Sequence, residues 1–149
     1  MSVQFSDLLL LDTNVLINVV RGNEIANRID QTPSIRQRAD RPLISVISVG
    51  EALSFATQLK WGTEKVERLR ALMDELVVMD INSALVLESY ARFDALQISG
   101  GWNLKENDLW IAACSAASGA VLVTSDRDFD QLQAGEHLRR FWIDPNTRG

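Results

Sequence analysis

The sequence predicts an α/β fold: a three-layer α/β/α sandwich around a mostly parallel sheet of four to five strands. Two observations carry this. Short apolar runs, LLLLD at 8–12, PLISVIS at 42–48, VVMDI at 77–81 and AVLVT at 120–124, have the length and composition of strands buried on both faces. Longer segments with helical spacing separate them, and such alternation requires crossovers that lay helices on both faces of a parallel sheet.

Each element follows in turn. The first strand, 8–12, leads into a helical stretch to about Val20. Residues 23–38 are helical but weakly patterned, with Pro33 interrupting them. After the second strand, VGEALSFATQLKW has helical spacing, and TEKVERLRALMDEL (63–76) puts Val66, Leu69, Leu72, Met73 and Leu76 on one face. SALVLESYARFDALQI (83–98) is a further helix, and SGGWN (99–103) a loop. ENDLWIAACSAAS (106–118) is a helix of small residues suited to close packing on a sheet, with Gly119 where a left-handed cap closes a helix. RFWID (140–144) is the candidate fifth strand.

The 149 residues suit a single domain, 1–149, with a composition of 46% hydrophobic and 23% charged residues. No basic n-region precedes Leu8–Leu11, and that run is too short to span a bilayer, so the expectation is a cytoplasmic protein without a membrane partner. The single cysteine, Cys114, permits no internal disulfide, and no Cys/His cluster offers a zinc site. Cys114 and Trp110 read as core, and His137, the only histidine, as a surface residue. The net charge of -5 argues against nonspecific phosphate binding. The local basic groups, Arg21, Arg28, Arg36, Arg38 and Arg41, then Lys60, Lys65, Arg68 and Arg70, read as solvated helix faces. Among the tryptophans, Trp102 in its glycine loop is the best candidate for stacking on a base.

Ligands of an open parallel sheet bind beyond the carboxyl ends of its strands. Asp12 ends the first strand, Glu51 follows the second by about a turn, and Asp126 and Asp128 follow the fourth. Asp108 opens the helix that runs back to the fourth strand, which brings it to the same rim. Each acid has a structural explanation: Ser48 to Glu51 matches a capping box, and Asp12, Asp108 and Asp126 suit helix N-termini. Asp128 reads equally as a solvated acid, and Arg127 as a surface ion pair. Taken together, capping explains less. Carboxylates about 4 Å apart repel by about 4 kcal/mol per pair at an effective dielectric near 20, whereas a helix dipole returns at most about 1 kcal/mol. If the acids meet, a cation must hold them.

An all-oxygen cluster of carboxylates, with Asn14 and Thr124 or Ser125 at its edge, favours Mg2+, with Mn2+ as the alternative, over zinc. Such ions activate water toward a phosphodiester without a side-chain nucleophile, and one histidine excludes a histidine-pair nuclease. A phosphotransferase of the haloacid-dehalogenase type needs a second aspartate two residues after the first, where this chain has Asn14. The other alternative is a noncatalytic RNA- or protein-binding module.

The stretches LLLLDTNVLI (8–17), ISVGEAL (47–53), ENDLWIAA (106–113) and LVTSDRDF (122–129) resemble, in order and spacing, the four acidic motifs of PIN-domain ribonucleases, in particular the VapC toxins of toxin-antitoxin pairs. The resemblance spans about residues 8–130. It implies a magnesium-dependent endoribonuclease in which Asp12, Glu51, Asp108 and Asp126 surround the ion. Asp12, Asp108 and Asp126 are the expected ligands, Glu51 the group that orients water or completes the shell, and Asn14 a support for a carboxylate. Thr124, Ser125 and Asp128 are supporting residues, with Asp128 able to replace or assist Asp126. It also implies an RNA substrate, a homodimer and a cognate VapB-like antitoxin.

Overall fold

The computed structural model describes residues 3–4, 6–22 and 40–145, so the helical expectation for 23–38 lies outside the described residues. Among the described residues five strands form one sheet: β1 (Leu9–Leu11), β2 (Leu43–Ser45), β3 (Val77–Met79), β4 (Val121–Thr124) and β5 (Arg139–Trp142). Every pairing is parallel, in the order β3-β2-β1-β4-β5. Among the described residues the helices are α1 (Thr13–Arg21), α2 (Val46–Gln58), α3 (Thr63–Asp74), α4 (Ala84–Gly100), α5 (Glu106–Ser118) and the short α6 (Asp130–Ala134). A 3-10 turn, Arg127–Phe129, precedes α6.

Strand periodicity sorts the side chains into two cores. Leu9 and Leu11 on β1, with Val121 and Val123 on β4, pack beneath α1, α2 and α3, where Leu16, Val20, Ala52 and Leu69 meet them. Leu10 and Leu122 point the other way, into Phe93 of α4 and the small residues Ala112, Ala113 and Cys114 of α5. Leu10, Leu11, Ile44, Leu122 and Val123 are all fully buried, as expected for a central parallel sheet covered on both faces. Among the described strands, the edge strand β3 turns apolar side chains outward, at Val77 and Val78.

Boundaries differ from expectation where a cap intervenes. PLISVIS was expected to be strand throughout, yet β2 stops at Ser45, whose hydroxyl accepts the Ile47 N–H at 3.1 Å and starts α2 at Val46. Strong β propensity thus yields to a cap followed by a helix with a buried face. In SGGWN, Ser99 and Gly100 belong to α4, and Gly101, at φ 70°, ends it. Trp102 lies half-buried against the second core instead of standing free for a base. The other tryptophans are engaged too: Trp110 stacks on Tyr90 at 3.9 Å, Trp61 meets Phe55 edge-on, and Trp142 lies under Arg127. His137 is half-buried beside Phe93, not a free surface residue. Cys114 is buried, its thiol 3.6 Å from the Ser45 hydroxyl. No helix among the described residues is long and apolar enough to cross a membrane.

Candidate functional site

Strand order reverses at β1, so the helices after β1 and β4 leave in different directions and open a crevice between the two strands' carboxyl ends. That crevice is a cleft of about 490 Å³ whose walls include Asp12, Asn14, Glu51, Asp108 and Asp126. Residues up to 114 positions apart in sequence, Asp12 and Asp126, meet because β1 and β4 pair in register, Leu11 opposite Val123. The Asp12 N–H extends that ladder by donating to the Val123 carbonyl at 2.9 Å.

Asp12 is 4% exposed and committed at both oxygens. Oδ1 accepts the Thr13 N–H at 2.8 Å and Oδ2 accepts the Thr124 hydroxyl at 2.7 Å. Having donated its proton to Asp12, the Thr124 oxygen accepts the Asp126 N–H at 2.9 Å. One hydroxyl therefore ties the ends of β1 and β4 together. Asp126 Oδ1 in turn accepts the Asp128 N–H at 2.9 Å and caps the 3-10 turn. For Asp12 and Asp126, capping and site formation are compatible, because a hydrogen bond occupies one lone pair of a carboxylate oxygen and each oxygen has two. Ser125 between them is half-buried.

Glu51 is held differently from what a capping box requires. The cap of α2 is Ser45, and Ser48 sits inside the helix, fully buried. The Thr13 hydroxyl lies 2.8 Å from Ser48 Oγ and 2.8 Å from Glu51 Oε1. A hydroxyl has one proton and a carboxylate only accepts, so Thr13 donates to Glu51 while Ser48 donates to Thr13. This partly buried relay holds the Glu51 carboxylate at the cleft. Neither Thr13 nor the positioning role of Ser48 was foreseen; the available signal was a serine three residues inside an otherwise apolar helical run.

Asp108 is in the first turn of α5, whose N-cap is Lys105, and makes no cap itself. The helix dipole favours its charge. Desolvation nevertheless pushes Asp108 from 3.8 up to about 7, with Asp12, Asp126, Glu51 and Asp128 adding repulsion. Desolvation likewise lifts Asp12 to about 6, although the Thr124 and Thr13 hydrogen bonds oppose it. Asp128, on the exposed side, is raised by partial burial and then by Asp126, and lowered by Lys105. The ion pairs among the described residues, Arg139 with Asp7 and Arg140 with Asp130, engage none of these acids.

Asp108, Asp126 and Asp128 each present an oxygen, all within 4.8 Å of one another. This trio shares two members with the expected ligand set of Asp12, Asp108 and Asp126, with Asp128 in the place of the buried Asp12. Asn14 lines the cleft, and its Oδ1 is buried without a hydrogen-bond partner. An all-oxygen donor set, an orphaned amide oxygen and mutually repelling carboxylates fit a hard divalent cation. Arg127, expected in a surface ion pair, has its guanidinium 4.5 Å from the Trp142 ring centre. Two cations, Arg21 and Lys105, do reach the cleft wall.

A family model described as PIN domain matches residues 9–135. No curated protein matches the chain. Among solved structures, the fold is similar to a chain in VapBC2 from Rickettsia felis bound to a DNA fragment from their promoter, with TM-score 0.76 and 21% identity over 92% of this chain and 99% of that one. It is similar to VapBC-1 from nontypeable Haemophilus influenzae, with TM-score 0.74 and 21% identity over 91% and 97%. It also resembles VapBC-5 of the VapBC family of toxin-antitoxin systems from Mycobacterium tuberculosis, with TM-score 0.67 and 20% identity over 92% and 99%.

Proposed function

This chain belongs to the PIN domain family, and from that premise we propose that it is a Mg2+-dependent endoribonuclease, with Mn2+ able to substitute, acting as the toxin of a VapBC-type pair. The observation that carries the reading is the meeting of Asp12, Glu51, Asp108 and Asp126, from four separate segments, in one cleft. Keeping Asp108 ionised there is costly without a cation.

A bound divalent ion supplies a lowered water pKa and charge stabilisation at the phosphate. Asp12, Asp108 and Asp126 would hold it, with Asp128 able to replace or assist Asp126. Thr124 fixes the Asp12 carboxylate in the cleft wall. Glu51, held by Thr13 and Ser48, orients the attacking water or completes the cation shell. Asn14 offers its amide oxygen to the same space. The chain works as one nuclease domain, in the cytoplasm, as a homodimer controlled by a VapB-like antitoxin. The structural relatives named above support that partner, since they are VapBC complexes.

Purified protein is expected to cleave RNA with magnesium or manganese, to stop with a chelator, and to lose activity as Asp12→Asn or Asp108→Asn while remaining folded. RNA binding without metal-dependent cleavage would instead identify a noncatalytic module.

A further inference from the structure

We propose that Arg21, laid over the ring of Phe55, forms a nucleotide-holding subsite that grips single-stranded RNA beside the phosphate being cut; this rests on the ribonuclease reading above. The cleft that contains the acids continues along α1 to Arg21 and Phe55. Asn14, Asn18 and Arg21 are spaced by four and three residues, so they share one face of α1 and line that wall. About 12 Å of helix axis separates Thr13 from Arg21, so this wall runs well beyond the acids. On α2, Phe55 follows Glu51 by one helical turn, so the same helix face presents the catalytic carboxylate and the ring.

The Arg21 guanidinium carbon lies 5.1 Å from the Phe55 ring centre, and Trp61 braces that ring edge-on at 5.9 Å and 87°. Arg21 itself is exposed at the cleft. A guanidinium at cation–π distance over an aromatic ring is held in place while its donors remain for a phosphate, and an arginine plane exposed in this way is a surface on which a base can stack. Lys105 supplies a second cation at the same cleft. The acids with their cation accommodate one phosphate but repel its neighbours, so a polyanion can cross this cleft only where its rim is cationic. A basic peptide would be drawn to the acids and repelled at Arg21. Duplex RNA keeps its bases stacked on one another and away from such a platform. On the far side of Glu51 and Phe55, a second hollow of about 540 Å³ carries the neutral hydrogen-bonding side chains Ser54, Gln58 and Asn107.

The probe is a short fluorescein-labelled single-stranded RNA of random sequence, bound to Asp108→Asn protein in magnesium so that it is not cut. Cleavage of the same RNA is followed with Asp108 intact. Arg21→Ala and Phe55→Ala are each expected to weaken binding on the order of tenfold, with the loss in cleavage falling on KM. Arg21→Ala is also expected to flatten the salt dependence of binding by about one counterion. Arg21→Lys should restore the salt slope but not the affinity, which a merely structural role would not do. Unchanged binding and KM in both alanine variants would overturn the subsite, as would losses that follow melting temperature alone. Weakened association with a copurifying polypeptide, and none with RNA, would overturn it in favour of a protein-binding rim. If the unsubstituted protein neither binds nor cuts RNA, the ribonuclease reading itself has failed, and the subsite falls with it.

Discussion

Replacing Asp108 with asparagine should stabilise the metal-free protein while abolishing its activity. Asp108 is raised from 3.8 to about 7 by desolvation and by the acids around it. At pH 8 the folded protein must ionise this group against a shift of about three units, equivalent to roughly 4 kcal/mol. Two effects reduce the gain from removing it. Asparagine forfeits the favourable interaction with the α5 dipole, up to about 1 kcal/mol, and solvent at the open cleft screens part of the repulsion. A net stabilisation of about 2 kcal/mol remains, which for a domain of this size raises Tm by roughly 4–8 °C.

The sign follows from linkage. An acid with a raised folded-state pKa binds protons more tightly when folded, so its unfavourable contribution grows as pH rises from 3.8 through about 7 and vanishes below the lower value. The advantage of Asp108→Asn should therefore be full at pH 8 and nearly absent at pH 4. Thermal unfolding with a chelator across that range checks this. An Asp108→Asn protein that melts with or below the parent at pH 8 would show that the carboxylate is not under electrostatic strain, and the inferred need for a cation would go with it. Saturating magnesium should narrow the gap by binding the parent's intact site more tightly than the variant's, since a ligand held at a hundred times its Kd adds about 2.7 kcal/mol.

Three further outcomes are expected. Thr124→Val keeps the shape of the side chain but strips the partners from Asp12 Oδ2 and the Asp126 N–H, so it should lower stability by about 1–3 kcal/mol in chemical denaturation and weaken magnesium binding measured by calorimetry. Ser48→Ala leaves Thr13 and Glu51 in contact but removes the buried donor that fixes the Thr13 proton; kcat should fall with little change in Tm beyond about 1 kcal/mol of stability. Gly119 closes α5 at φ 71° with open space around its Cα, so Gly119→Ala should cost about 1–2 kcal/mol from backbone strain alone and leave metal binding intact.

Much of the architecture was legible because its signals are local. A buried parallel strand must be apolar on both faces, so LLLL and AVLVT declared themselves, as did the small-residue helix that packs closely on the sheet and its closing glycine. Asp12 and Asp126 were visible as acids at strand ends, and Glu51 and Asp108 as acids on the adjoining helices, because the parallel topology directs every carboxyl end to one rim. Local signals failed where two of them competed. Ser45 and Ser48 both resemble helix caps in sequence, and only packing made Ser45 the cap and buried Ser48 beneath Thr13.

The linear sequence thus determined the α/β alternation, the burial of the sheet and which carboxylates share a rim, all consequences of side-chain periodicity. Tertiary structure alone decided how those acids are held. The Thr124 link between Asp12 and Asp126, the Ser48–Thr13–Glu51 relay and the Arg21–Phe55 pair join residues as many as 112 positions apart. Hydrogen bonds and ring contacts act over a few ångströms, and such distances exist only after the strands have chosen their order and register.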